Sequence, residues 1–240
     1  MESSGFLRGE RAIESSALRV EVRPLFRLVY LWMGLGLLVT AVVAFITLNT
    51  ESLLALALDN GVRMIALFGS LGLVLAISAG IRRMSASVAG ILFMVYAGVL
   101  GFSFSILVLF YTGASIAGAF VTTASLFGVM TVVGFTTQVD LTRYRTYFMM
   151  GLIGLVIAMF VNILLLRSSG FDLVISIFGV ILFTALTAYD TQKIKHLAAD
   201  PKIQEDADLT LKISILGALT LYLDFINLFL FLLRIFGRRR

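Results

Sequence analysis

Long apolar stretches, separated only by short polar or charged connections, dominate this sequence of 240 residues. A helix needs about 20 predominantly apolar residues to cross a hydrocarbon core about 30 Å thick. Stretches of this kind lie at 26–48, 62–81, 86–110, 115–137, 147–166, 173–190 and 210–236. The pattern predicts an all-α integral membrane protein, a bundle of seven transmembrane helices.

Composition agrees with a membrane protein and argues against other classes. Hydrophobic residues make up 60% of the chain, whereas soluble globular chains contain roughly 45–50% even when glycine is counted as apolar. The net charge of +5 does not indicate nucleic acid binding, because most basic residues lie in the N-terminal tail or at helix ends, where they anchor at lipid headgroups. Cysteine is absent, which excludes disulfides and cysteine-based metal sites. Membrane lipid is therefore the expected partner, and nucleic acid is not.

The chain divides into a polar tail at 1–24, a single transmembrane domain at 25–237 and a basic C-terminal end at 238–240. The tail mixes arginine and glutamate and lacks the apolar core of a cleavable signal peptide, so the first membrane helix is expected to act as the insertion signal. Short loops and the lack of a targeting segment favour a bacterial inner membrane over an organelle.

Small residues recur four positions apart in two of the predicted helices, which places them on one helix face. Such faces let backbones approach closely in lipid and predict helix contacts. The residues are Ala97, Gly101 and Ser105 in one helix, and Ala114, Gly118 and Thr122 in the next.

Two acidic residues lie where a membrane helix would not be expected to carry charge. Asp224 has about ten mainly apolar residues on each side, and Asp190 closes the apolar run VILFTALTAYD. A charge at the helix centre costs about 2.5–3.5 kcal/mol on insertion scales and usually serves a function inside the bundle. Asp224 is either an ion or proton site or a structural buried carboxylate. Asp190 is open to a second interpretation, because Gln192 and Lys193 follow and it could mark the membrane edge.

Three segments resemble the Bax-inhibitor family, also called transmembrane Bax-inhibitor-motif proteins. They are FTALTAYDTQKIK at 183–195, LTLYLDFINLFLFLLRIFG at 219–237 and GASIAGAFV at 113–121. The YLDFINLF string is the most specific of them, and the order of hydrophobic runs agrees over about residues 20–237. The chain is similar to the bacterial members of this family.

The resemblance implies a fold and a site. The last of the seven helices would be central, and the aspartates of the sixth and seventh helices, here Asp190 and Asp224, would form a hydrogen-bonded pair. Asp190 looks closer to the membrane edge than Asp224, and a bent or partly unwound helix could bring them together. An arginine at the end of the second helix would latch to the pair in the closed state; the matching residue is Arg83, with Arg82 as the alternative.

The activity implied is a slow calcium leak controlled by pH. Two carboxylates in a low-dielectric site cannot both ionise cheaply, so the pair can share one proton. Calcium prefers several oxygen ligands, and two aspartates are too few for a tight cage, which favours a transient site. Asn227 lies three residues beyond Asp224 and could add an amide oxygen, although interhelical packing explains it as well. No cofactor is expected, because Ca²⁺ is the transported ion.

A second class of function is a membrane interaction protein, which would modulate a membrane-bound AAA protease or a stress- or death-regulating partner. The tail and the segment 191–209 would be its docking surfaces. An enzyme is not expected, because the only histidine, His196, lies in a lysine-rich segment without clustered metal ligands.

Topology gives a first prediction. Basic residues are retained on the cytoplasmic side, and their distribution places the N-terminus in the cytoplasm. With seven crossings the C-terminus then lies on the far side, although Arg238, Arg239 and Arg240 oppose this placement. A reporter active only in the cytoplasm should be active at the N-terminus and inactive at the C-terminus. Activity at the C-terminus would show that one segment turns back or does not cross.

Overall fold

The computed structural model describes the backbone of residues 3–238 and the side chains of residues 24–238. Seven helices in this part of the chain are long and apolar enough to cross a membrane, as the sequence predicts. They are Pro24–Asn49, Asn60–Gly80, Ala86–Phe110, Gly113–Thr136, Leu141–Leu166, Ser169–Ala198 and Ala207–Phe236. The side chains of the polar tail before Pro24 and the terminal Arg239 and Arg240 lie outside the described residues.

Ten α-helices form these spans and their connections. They are α1 (Ser3–Asn49), α2 (Glu51–Leu58), α3 (Asn60–Gly80), α4 (Ala86–Phe104), α5 (Leu107–Phe110), α6 (Gly113–Thr136), α7 (Arg145–Val161), α8 (Ser169–Ala198), α9 (Pro201–Glu205) and α10 (Ala207–Phe236). A 3₁₀ turn at Leu141–Tyr144 precedes α7, and a π-helical turn at Asn162–Leu166 follows it.

Polar residues in the connections begin several of these helices. Asp59 accepts a hydrogen bond from the amide of Val62 at 2.9 Å, and Thr112 accepts one from the amide of Ser115 at 3.2 Å. Each bond satisfies one of the amides that a helix N-terminus leaves without a partner. Short caps of this kind let one membrane helix follow another after only a few residues.

The last helix, α10, is central and the most buried span. It packs against α1, α4, α6 and α8. Tyr222 of α10 is fully buried, and its hydroxyl lies 2.6 Å from the hydroxyl of Thr40, which lies 3.0 Å from the carbonyl oxygen of Ala97. This chain of polar contacts joins α10, α1 and α4. Near the other end of α10, Arg234 forms an ion pair with Asp172 of α8 at 3.5 Å.

One of the two small-residue faces makes the predicted contact. A methyl group at Gly101 of α4 would lie 2.5 Å from the carbonyl oxygen of Thr40, so the backbones of α4 and α1 approach closely there. The prediction for α6 is wrong, because Ala114 and Gly118 are exposed. The buried face of α6 is the adjacent one, which carries Phe127 edge-on against a phenylalanine of α10 at 5.5 Å. That face also carries Ala119, Thr123 and Gly134, and a methyl group at Gly134 would overlap the carbonyl oxygen of Ala188 in α8.

The sixth membrane helix also ends later than predicted, at Ala198 rather than 190. The side chain of Gln192 donates to the carbonyl of Val139 at 2.8 Å and accepts from the amide of Leu141 at 2.7 Å. The Lys195 ammonium donates to the carbonyl of Phe135 at 2.8 Å. Because the connection between α6 and α7 satisfies these polar groups, the polar stretch stays helical, and His196 lies in the last turn of α8.

The contact at Gly101 predicts a loss of stability when this residue is enlarged. We expect Gly101→Ala to destabilise the protein by about 1–3 kcal/mol, because the added methyl meets backbone atoms that cannot rotate away. The melting temperature in detergent should fall by roughly 5 °C. Gly118→Ala is the matched control, since nothing lies within 4 Å of a methyl group there. Equal melting temperatures for the two variants would contradict the close contact.

Candidate functional site between α8 and α10

The two aspartates singled out in the sequence are both buried inside the bundle. Asp190 of α8 is 7% exposed and Asp224 of α10 is 4% exposed. Their helices pack against each other more extensively than any other pair. Each carboxylate therefore lies within the protein, not at its lipid-facing surface.

Antiparallel packing of α8 and α10 sets the position of the pair. A methyl group at Gly217 of α10 would lie 3.3 Å from the side chain of Ile194, and one at Gly179 of α8 would lie 2.6 Å from the ring of Phe231. In this register Asp190 lies about one helical turn from the level of Asp224. The two carboxylates are therefore close enough in the bundle interior for their charges to interact.

One expectation about the helix around Asp190 is wrong. α8 is not unwound there, because it runs continuously from Ser169 to Ala198, eight residues beyond Asp190. A continuous helix packed antiparallel to α10 brings Asp190 towards Asp224, and the interpretation of Asp190 as a residue at the membrane edge stays open.

The pair has one nearby cation and one oxygen without a partner. The ammonium of Lys193 lies 3.9 Å from a carboxylate oxygen of Asp190, and the lysine side chain is about half exposed. One carboxylate oxygen of Asp224 is buried with no hydrogen-bond partner among the described protein atoms. A buried ionised carboxylate is costly unless it is paired or hydrogen-bonded. Chemically, the site can hold a proton, bind a cation or take up water.

The arginines assigned to the latch are not within ion-pair distance of the aspartates. Arg82 and Arg83 follow α3 and are both exposed. In the described part of the chain neither forms an ion pair with a carboxylate. The cation beside the aspartates is Lys193, and the latch stays a prediction.

Asn227, the predicted auxiliary ligand, is half-buried one turn beyond Asp224. Its amide nitrogen donates to the carbonyl of Leu223 at 2.8 Å, which leaves the amide oxygen as the group that could contact an ion. Among the described residues no three His, Asp or Glu side chains gather to form a metal site. The ion ligands that the sequence predicts are thus two carboxylates and this one amide oxygen.

Three hydroxyl-bearing residues next to the site escaped the sequence analysis. Tyr30 of α1, Thr131 of α6 and Thr191 of α8 bring three buried hydroxyls together inside the bundle. Thr191 directly follows Asp190 in the sequence, which was the one available signal. It is weak, because threonine in a membrane helix ordinarily bonds a carbonyl of its own helix.

The fold and this site define a class: a multi-pass α-helical membrane protein with two acidic residues buried between its last two membrane helices. Comparisons with known proteins agree. A family profile described as "Inhibitor of apoptosis-promoting Bax1" matches residues 22–240. The chain therefore belongs to the Bax-inhibitor family, which confirms the resemblance seen in its motifs.

The relatives are bacterial. The chain is 47% identical over 213 residues to the inner membrane protein YbhL of Escherichia coli, a match that covers 88% of this chain and 90% of YbhL. A protein of Rickettsia prowazekii is 46% identical over 215 residues, 88% of each chain. YrjE of Lactococcus lactis is 36% identical over 217 residues, 88% of this chain and 89% of YrjE.

Proposed function

We propose that this protein is a pH-sensitive calcium leak channel of a bacterial inner membrane, with Asp190 and Asp224 as both pH sensor and transient calcium site. The observation that carries the proposal is the burial of two interacting carboxylates inside a membrane bundle. Placing charge there costs stability, so such residues usually serve ion or proton movement. The location rests on the similarity to YbhL, an inner membrane protein.

The closed state would hold one proton shared by the two carboxylates. Loss of this proton leaves two negative charges close together in a low-dielectric interior, where they repel strongly. Because the carboxylates belong to α8 and α10, their repulsion loosens the contact between these helices. Flux should therefore rise as pH rises and the shared proton is lost.

Calcium would compensate the two charges as it passes. Both carboxylates and the amide oxygen of Asn227 are hard oxygen ligands, but calcium binds six to eight oxygens in its stable sites. The remaining ligands would be water. A site with so few protein ligands releases the ion readily, as a leak requires.

The central prediction concerns the titrating group itself. Asp224→Asn keeps the size of the side chain but removes the proton exchange, so the ratio of calcium fluxes at high and low pH should fall towards one. Asp190→Asn should have a matching effect, because the two groups titrate as a unit. The measurement is calcium uptake into proteoliposomes over a range of pH. Glu205→Gln, at an exposed carboxylate, is the control and should behave like the wild type.

Wild-type pH dependence in a folded, conducting Asp224→Asn protein would rule out the aspartate sensor. Absence of calcium flux through the wild-type protein would rule out the leak itself. Deletion of the polar tail separates the leak from a tail-mediated partner role, because a leak should survive the deletion.

The latch gives a further prediction. An arginine can meet a carboxylate with two hydrogen bonds and stays charged at any accessible pH. If Arg83 closes the path, Arg83→Ala should raise the resting calcium leak severalfold. It should also move the pH midpoint of flux upward, since loss of a nearby cation disfavours the doubly ionised pair. The same flux assay measures both effects.

Arg82→Ala and Lys193→Ala are the comparisons for the latch. Headgroup anchoring predicts small and similar effects for the two arginines, with no movement of the midpoint. The contact at 3.9 Å gives Lys193 the nearest cationic position to Asp190. If the pH midpoint of calcium flux moves in Lys193→Ala and not in Arg83→Ala, the lysine is the cation that neutralises the aspartate pair. That result would contradict the latch.

A further inference from the structure

Three buried hydroxyl groups from three different helices meet inside the bundle, and one of them belongs to the residue that follows Asp190 in α8. Thr131 and Thr191 lie next to the hydroxyl of Tyr30. The three oxygen atoms are nevertheless without a hydrogen-bond partner among the described protein atoms, because the groups do not reach direct bonding geometry. Thr191 is fully buried. We call Tyr30, Thr131 and Thr191 the hydroxyl cluster.

Two other threonines of the same helices are satisfied within their own helix, whereas Thr184 of α8 is not. Thr123 of α6 donates to the carbonyl of Ala119 at 2.7 Å, and Thr187 of α8 donates to the carbonyl of Phe183 at 2.8 Å. Each bonds its own helix four residues back, as threonine in a membrane helix usually does. Thr131 and Thr191 do not. Their hydroxyls remain available to a ligand between the helices.

Leaving these groups without partners would be costly. A buried hydroxyl gives up its hydrogen bonds to bulk water, and without a new partner that loss is not offset. A buried water typically makes about three hydrogen bonds to otherwise unsatisfied polar groups, and the cluster offers three hydroxyls that can each donate or accept. Water therefore matches the number and the chemistry of the groups present.

A second layer separates the cluster from the end of the bundle. Four residues along each helix from the cluster lie Phe26, Phe135 and Lys195. The ring of Phe26 packs edge-on against Phe135 at 5.3 Å between centroids. The ammonium of Lys195 lies 5.2 Å from the centre of the Phe135 ring and donates to the Phe135 carbonyl. These three residues, the closing layer, cover the hydroxyl cluster on the side where α6 and α8 end.

We propose that the hydroxyl cluster is a water-binding site that connects the aspartate pair with the face of the protein beyond the closing layer. Thr191 adjoins Asp190, so water held by the cluster reaches the neighbourhood of the carboxylates. The charged groups that act on the pair are Lys193 and the two aspartates themselves. A role for this water as the route by which protons reach the aspartate pair rests on the proposed function. The binding of water by the hydroxyl cluster does not depend on it.

Radiolytic hydroxyl-radical labelling of the full-length protein in lipid vesicles tests the water site without any measurement of flux. Radicals formed from bound water modify the side chains beside it. We expect labelling of Tyr30 at least threefold faster than that of Tyr222, which is fully buried and bonded to Thr40. Equal labelling of the two tyrosines would overturn the proposal.

Removing the partner hydroxyls distinguishes bound water from exposure of the Tyr30 ring. Thr131→Val and Thr191→Val keep the side-chain shape, and each should slow labelling of Tyr30 severalfold. Thr123→Val is the matched control on α6, because its hydroxyl is satisfied by its own helix. Unchanged labelling of Tyr30 in both cluster variants would show that the signal comes from outside the cluster and would overturn the water site.

A pH step then tests the route to the sensor. In proteoliposomes, Tyr30→Phe should slow the response of calcium flux to a pH step about tenfold and leave the final flux at each pH unchanged. Tyr96→Phe, at a buried tyrosine of α4 that packs against Tyr222, is the control. A wild-type response rate in Tyr30→Phe would reject the proton route even where labelling supports the water. Loss of pH control in the wild type would reject the proposed function and leave the labelling result intact.

Discussion

The antiparallel contact between α8 and α10 is the interaction on which the rest of this structure depends. Lipid gives helices no hydrophobic reason to associate, so close packing and polar contacts must hold the bundle together. Glycines at 179 and 217 let the two helices approach, and Arg234 with Asp172 links them near one end. The same approach forces Asp190 and Asp224 into one low-dielectric space. The close packing that stabilises the pair of helices is therefore also the cause of the repulsion between the two carboxylates when both are ionised.

Much of the fold follows from the sequence, because the bilayer imposes a length and an apolar composition on each crossing. The number of membrane helices was predicted for this reason. The central position of the last helix was implied only by the family resemblance. The end of α8 was not predicted, because Gln192 and Lys195 look like loop residues until the connection after α6 supplies their partners. A tertiary contact that lies more than fifty residues away in sequence cannot be read from local polarity.

The site was predictable to a similar degree. Asp224 stands out in an apolar run, and its charge alone identifies it. Asp190 needed the family motif, because its neighbours in sequence are polar. The hydroxyl cluster could not have been found, since threonine and tyrosine are common in membrane helices and only three-dimensional packing shows which hydroxyls lack a partner. Periodicity also failed for α6, because two adjacent faces carry small residues at the same spacing and only the packing against α8 and α10 shows which of them is buried.

The hydrogen bonds of Gln192 have a consequence for communication across the protein. This side chain lies two residues from Asp190 on a continuous helix, and it holds both the carbonyl of Val139 and the amide of Leu141. Any rotation or shift of α8 that follows a change at the aspartate must move this connection or break two hydrogen bonds. Val139 itself is exposed. If the aspartate pair changes charge as proposed, this contact would pass the change on to the shape of a surface segment.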